Sequence, residues 1–128
     1  MTILLDTHAF LWWITDDPQL SGTAQALIRD PQNTLLLSAA SAWEIAIKVA
    51  LGKLPLPEPP DVYVPRQMAL NRVSPLSISM EHSLGVFALP MHHRDPFDRI
   101  LIAQSRSLNI PLLSADPLVK AYPVRVIW

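Results

Sequence analysis

Short apolar runs alternate with longer amphipathic stretches along the chain. The apolar runs are bounded by turn residues, which predicts buried strands at TILL (2–5), NTLLLS (33–38), IPLLS (110–114) and VRVIW (124–128). Helical patterns lie between them, at 8–14, 21–29, 41–52, 62–72, 80–88 and 96–108. Strands that alternate with helices predict an α/β fold with a central parallel sheet and helices on both faces.

Five prolines crowd the segment PLPEPPDVYVP (55–65). Proline lacks the backbone N–H that a sheet needs, so we expect this segment to be an extended connection outside the sheet. Gly52 and Lys53, immediately before it, are typical of a helix end.

The composition excludes several classes of protein. A chain of 128 residues, half of them apolar, is long enough for one domain with its own core, and we assign residues 1–128 to it. A net charge of −1 excludes a general basic field for nucleic acid. The absence of cysteine excludes disulfides, thiolate catalysis and cysteine-based zinc sites.

The beginning of the chain is apolar, but it lacks a basic segment and is interrupted by Asp6, so we do not interpret it as a signal peptide. No stretch approaches the roughly 20 apolar residues of a membrane span. We therefore expect a cytoplasmic protein with no membrane association.

Four acidic residues come from separate segments but are predicted to meet at one edge of the sheet. Asp6 directly follows the first strand, Glu44 lies in the first turn of the helix after TLLLS, and Asp116 follows the strand IPLLS. Asp98 begins the helix that leads into that strand. Ligands of open parallel sheets bind beyond the carboxyl ends of the strands, so these carboxylates are candidates for a shared site.

Each acid also has a simpler explanation as a helix cap. Ser41 and Glu44 match a capping box, and Asp95 before Pro96 matches an N-cap with Asp98 favoured by the helix dipole. Capping does not explain the convergence, because like charges brought together raise one another's pKa unless a cation neutralises them. Oxygen ligands without cysteine favour Mg²⁺ or Mn²⁺ over structural zinc.

Four segments together resemble the PIN-domain ribonucleases, and most closely the VapC-type toxins of bacterial toxin–antitoxin pairs. They are LLDTHAFLWW, SAWEIAIKVALGKLPL, HHRDPFDRILIAQS and IPLLSADP, in the expected order from Thr2 to about Tyr122. The resemblance implies a PIN-like fold and a metal-dependent endoribonuclease that hydrolyses RNA with a metal-activated water. It also implies a cognate VapB-type antitoxin and a homodimer.

The resemblance assigns roles to individual residues. It implies that Mg²⁺ or Mn²⁺ is held by the catalytic acids, which are Asp6, Glu44, Asp98 and Asp116. Asp95 matches the motif and receives a capping or auxiliary role, and Ser114 stands where many relatives carry threonine, which keeps the hydroxyl.

The basic residues near these acids have more than one interpretation. Arg94 and Arg99 flank the acids of DPFD and are candidates for binding a substrate phosphate. Lys48 lies four residues after Glu44, which favours an ion pair along the helix. The histidines His8, His92 and His93 are expected to be solvated rather than catalytic.

Two other functions compete with the nuclease. An aspartyl-phosphate phosphatase would also place an aspartate after the first strand, but it needs a second aspartate two residues later, where this chain has His8. The stronger alternative is a non-catalytic PIN-like module that binds RNA or protein.

Overall fold

The computed structural model describes all residues from 1 to 128 and contains five strands and six α-helices. The strands are β1 (Thr2–Leu5), β2 (Thr34–Ser38), β3 (Val73–Leu76), β4 (Leu112–Leu113) and β5 (Val126–Ile127). The helices are α1 (Thr7–Ile14), α2 (Gly22–Arg29), α3 (Ala39–Ala50), α4 (Pro60–Leu70), α5 (Met80–Gly85) and α6 (Pro96–Leu108). Two 3-10 turns cover Val86–Ala88 and Val119–Ala121. None of the helices has both the length and the hydrophobicity that crossing a membrane requires.

The strands form one sheet in the order β3-β2-β1-β4-β5, and every neighbouring pair is parallel. Side chains of β1 alternate between the two faces: Ile3 and Leu5 join a core cluster with Phe10 and Ile45, whereas Leu4 joins a separate cluster with helix α6. Both faces of the sheet are therefore covered by helices. The predicted α/β class and the central parallel sheet are confirmed.

Strand β3 was not predicted from the sequence. Its four residues VSPL include only two apolar side chains and a proline, which give no strand pattern. The strand forms because it pairs in parallel with β2, from Val73 opposite Leu35 to Leu76 opposite Ser38. Pro75 is tolerated because β3 is at the edge of the sheet, where one side of the strand needs no partner.

The proline-rich segment is only partly an extended connection. Helix α4 begins at Pro60, so the prediction is wrong for the second half of the segment. A proline in the first turn is compatible with a helix, since its missing N–H has no partner inside the helix there. Pro65 lies within the same helix. Gly52, in contrast, follows α3 with a φ of 72°, as expected of a glycine that ends a helix.

Candidate metal centre

The acidic side chains gather where the parallel strands end. Asp6 follows β1 directly and is 5% exposed. One of its carboxylate oxygens, Oδ1, accepts a hydrogen bond of 2.7 Å from the N–H of Ala9 and caps helix α1. Asp6 therefore caps α1, as predicted, but the capping hydrogen bond uses only one of its two carboxylate oxygens. Ser114, which follows β4, is fully buried beside this edge, and its hydroxyl accepts a hydrogen bond from the N–H of Asp116.

Asp98 and Asp116 lie on either side of one histidine. The Nε2 atom of His93 is 3.0 Å from Oδ2 of Asp98 and 2.8 Å from Oδ2 of Asp116. One potential ligand atom from each of these residues lies within 4.8 Å of the others. Asp116 also accepts a hydrogen bond of 2.9 Å from the N–H of Leu118 through Oδ1. The segments that carry the two aspartates are therefore joined at the candidate site.

Glu44 is buried in α3, but not in the first turn of that helix. The helix begins at Ala39 with Ser38 as its N-cap, so the predicted capping box of Ser41 and Glu44 is wrong. Glu44 is 5% exposed, and its Oε2 lies 2.8 Å from Nζ of Lys48, as the spacing of four residues predicted. This ion pair partly offsets the burial of the carboxylate.

Electrostatic interactions connect the acids of all four segments. Burial and the negative charges of Asp95, Glu44 and Asp6 together raise the pKa of Asp98 to about 7, against the opposing effect of His93. Burial also raises the pKa of Asp6; hydrogen bonds from Ser114 and Ala9 oppose this shift, and the charge of Asp116 adds to it. A cation at this edge would favour the ionised carboxylates that the protein alone disfavours.

The negative charges of the acids also raise the pKa of Lys48. Its hydrogen bond to Glu44 raises the pKa of Lys48, and the charges of Asp95 and Asp98 add to the shift. Lys48 is partly exposed, so its charge faces solvent as well as the acids. One ammonium group does not balance the negative charges of Glu44, Asp95 and Asp98 together.

Asp95 is the N-cap of α6, as predicted. Its Oδ1 accepts hydrogen bonds from the N–H groups of Phe97 at 2.8 Å and Asp98 at 3.3 Å, and Pro96 occupies the first turn. These bonds fix the start of the helix that carries Asp98. The charge of Asp95 also acts on Asp98, so Asp95 is both a cap and an electrostatic neighbour of the site.

Arg99 does not face a substrate, and its prediction as a phosphate-binding residue is wrong. It is 6% exposed, and its two terminal nitrogens donate hydrogen bonds to the carbonyls of Val86, Leu89, Pro90 and His93 and to the hydroxyl of Tyr122. A guanidinium held in this way supports the loop before α6. Arg94, in contrast, is exposed and makes no ion pair, so its predicted contact with phosphate stays a prediction.

The sequence interpretation missed two residues that shape the site. His93 is 8% exposed and contacts two of the acids, whereas it was expected to be solvated. The hydroxyl of Tyr122 accepts a hydrogen bond from the N–H of His93 and donates one to the carbonyl of Pro90. Only the position of His93, two residues before the helix cap Asp95, could have indicated its role. His8 and His92 are exposed, as expected.

The sequence of the chain is similar to the profile of a protein family and to a known ribonuclease. The sequence profile of the PIN domain matches residues 3–123. Over 70 residues the chain is 50% identical to Ribonuclease VapC16 of Mycobacterium tuberculosis, a match that covers 52% of this chain and 50% of that protein. The aligned stretch therefore spans only half the length of this curated relative.

Solved structures share the fold over nearly the whole chain. VapBC2 from Rickettsia felis, bound to a DNA fragment from its promoter, matches with a TM-score of 0.71 and 14% identity over 99% of this chain and 98% of that one. VapC20 of Mycobacterium tuberculosis, a toxin that cleaves the sarcin-ricin loop, matches with a TM-score of 0.65 and 13% identity over 95% of each chain. At such low identity these matches establish the fold alone.

Proposed function

The chain belongs to the PIN domain family, and we propose that it is a divalent-metal-dependent endoribonuclease and the toxin of a toxin–antitoxin pair. The observation that carries this proposal is that Asp98 and Asp116 converge beside His93 at the carboxyl edge of a parallel sheet, with Asp6 and Glu44 close enough to raise the pKa of Asp98. The aligned half of Ribonuclease VapC16, with its 50% identity, supports the same activity.

The residues present fit a divalent cation. Asp6, Glu44, Asp98 and Asp116 would hold it, and carboxylate oxygens are the ligands that Mg²⁺ and Mn²⁺ take in proteins. The closeness of Asp98 and Asp116 and the burial of Asp6 support this fit, because burial and like charges, which raise the pKa of Asp98, leave its carboxylate short of a positive neighbour. When bound, such an ion supplies an activated water and stabilises charge on the phosphoryl oxygens.

The protein's own groups prepare the site for an RNA phosphate. Asp95 fixes the first turn of α6 and so the position of Asp98. Ser114 supports the ionised form of Asp6, whose pKa its hydrogen bond lowers. Arg94 is exposed beside these acids and is our candidate for contacting a phosphate oxygen of the substrate.

The proposed partners follow from the family and from the solved complexes. We propose that the protein acts on RNA in the cytoplasm, is inhibited by a VapB-type antitoxin and forms a homodimer. Exposed aromatic side chains are available for such contacts: Trp43 is 63% exposed, and its ring meets that of Phe97 edge-on at 5.3 Å. VapBC2 from Rickettsia felis, which shares this fold, was solved bound to a DNA fragment from its promoter.

Cleavage by the purified protein tests the proposed activity. A structured RNA should be cut in Mg²⁺ or Mn²⁺, and EDTA should abolish cutting. Asp6→Asn should stay folded and lose cleavage, whereas Asp61→Asn, an exposed acid in the first turn of α4, should retain it. Binding of RNA without metal-dependent cleavage would favour the alternative, a non-catalytic PIN-like module.

A further inference from the structure

His93 is held at every polar atom. Its backbone N–H donates to the hydroxyl of Tyr122 at 2.9 Å, and its carbonyl accepts a hydrogen bond from Arg99 at 3.2 Å. Its ring atom Nδ1 accepts a hydrogen bond of 3.1 Å from the backbone N–H of Asp95. The other ring nitrogen, Nε2, faces Asp98 and Asp116. A surface histidine with no role would not be fixed from both sides in this way.

The contact with Asp95 determines which ring nitrogen carries the hydrogen. A backbone N–H can only donate, so Nδ1 of His93 must present its lone pair to it. In the neutral imidazole the hydrogen then resides on Nε2. A nitrogen that carries a hydrogen has no lone pair left for a metal ion. His93 is therefore the donor in its hydrogen bond with Asp116, although its distances alone resemble those of a ligand.

The single Nε2–H donates a hydrogen bond of 2.8 Å to Oδ2 of Asp116, and Oδ2 of Asp98 lies 3.0 Å from the same nitrogen without accepting a hydrogen bond from it. Without this donor on Asp116, the two neighbouring carboxylates would repel each other and separate. Asp98 retains its second oxygen, Oδ1, which no protein donor contacts, and Asp116 receives a backbone N–H at its own Oδ1. The histidine thus orients Asp116 beside Asp98 while it leaves lone pairs on both acids for a cation.

We propose that His93 is a positioning residue of the metal centre, whose Nε2–H holds Asp116 close to Asp98 in the arrangement that binds the ion. This inference rests on the metal-dependent nuclease proposed above. Groups that donate to ligating carboxylates in this way commonly change metal affinity when they are removed, by about 10- to 100-fold.

Two substitutions separate the roles of the two ring nitrogens. The amide of glutamine reaches the place of Nε2, whereas the shorter asparagine ends near the place of Nδ1. Titration calorimetry of the full chain with Mn²⁺ should show binding weakened by about 10- to 100-fold in His93→Asn and largely restored in His93→Gln. His92→Asn changes the exposed neighbouring histidine and should bind like wild type. Thermal melting of each variant checks the fold.

Nitrogen NMR of the histidine rings tests the wild-type protein directly and needs no variant. We expect a protonated, pyrrole-like Nε2 and a pyridine-like Nδ1 in His93, both without metal and with Mg²⁺. A pyridine-like Nε2 in the presence of Mg²⁺ would make His93 a ligand and overturn the inference.

The binding data distinguish failure of this inference from failure of the nuclease. Equal Mn²⁺ affinities of wild type and a folded His93→Asn would contradict the positioning role alone. If the wild type binds neither Mn²⁺ nor Mg²⁺, the metal-dependent nuclease is wrong, and this inference is wrong with it.

Discussion

Replacing Arg99 should destabilise the protein far more than a surface arginine would. The side chain is 6% exposed and donates to five oxygens, four of them backbone carbonyls. In Arg99→Ala the carbonyls of Leu89 and His93 lose their donor, whereas that of Val86 keeps the N–H of Leu89 and that of Pro90 keeps the hydroxyl of Tyr122. A buried polar group left without a partner costs about 1–3 kcal/mol. One nitrogen serves three of the acceptors, so the contributions are not additive. Counting two fully unsatisfied groups gives a loss of about 4 kcal/mol.

This loss converts into a large shift of the melting temperature. An unfolding entropy of about 2.1 cal/mol/K per residue gives about 0.27 kcal/mol/K for 128 residues. A loss of about 4 kcal/mol then lowers the melting temperature by about 15 °C. Arg99→Lys keeps the positive charge but loses the planar guanidinium with its several N–H donors. The decrease in melting temperature should therefore be smaller than in Arg99→Ala but still clear.

Thermal and urea denaturation followed by circular dichroism measure the effect. Arg94→Ala is the matched control, because Arg94 is exposed and makes no ion pair; its stability should stay within about 0.5 kcal/mol of wild type. A wild-type melting temperature for Arg99→Ala, together with weakened RNA binding, would refute this reasoning and restore Arg99 as a substrate-binding residue.

Two further substitutions test the acids. The pKa of Asp98 is raised from 3.8 to about 7 in the folded protein, so the folded state loses stability as pH rises from about 4 to 7 and carries the full penalty above pH 7. In EDTA, Asp98→Asn should therefore have a higher melting temperature than wild type at pH 8, and this difference should disappear near pH 4. Equal melting temperatures at pH 8 would contradict the raised pKa of Asp98. Asp95→Asn should reduce cleavage less than Asp98→Asn, because asparagine still caps α6; an equal loss, measured as initial cleavage rates, would make Asp95 a metal ligand.

The position of the acids near one edge of the sheet could be predicted from the sequence because it depends on topology. Parallel strands that alternate with helices bring their carboxyl ends to one edge, so residues that follow separate strands become neighbours. This rule alone predicts that Asp6, after β1, and Asp116, after β4, lie at the same edge. Whether these acids bind metal depends on chemistry that neither the topology nor the fold decides.

Strand β3 and the residues behind the acids could not be predicted in this way. Val73–Leu76 becomes a strand because it pairs with β2. The local sequence pattern does not predict this pairing, since β2 is distant in the chain. Arg99 follows an acid in the sequence, but α6 turns its side chain inward to carbonyls of the preceding loop. His93 is adjacent to an exposed histidine, and only the folded loop distinguishes the two.

The chemical nature of the cleaved ends tests the central claim that the acid cluster cuts RNA with a metal-activated water. Attack by water does not need the 2′-hydroxyl of the scissile nucleotide and leaves a 5′-phosphate and a 3′-hydroxyl. We predict that an RNA carrying a single 2′-deoxy nucleotide at the cleavage site is still cut in Mg²⁺ or Mn²⁺, with a 5′-phosphate on the downstream product. A 2′,3′-cyclic phosphate on the unmodified RNA, formed equally well in EDTA, would contradict the account and assign the chemistry to general acid–base groups instead.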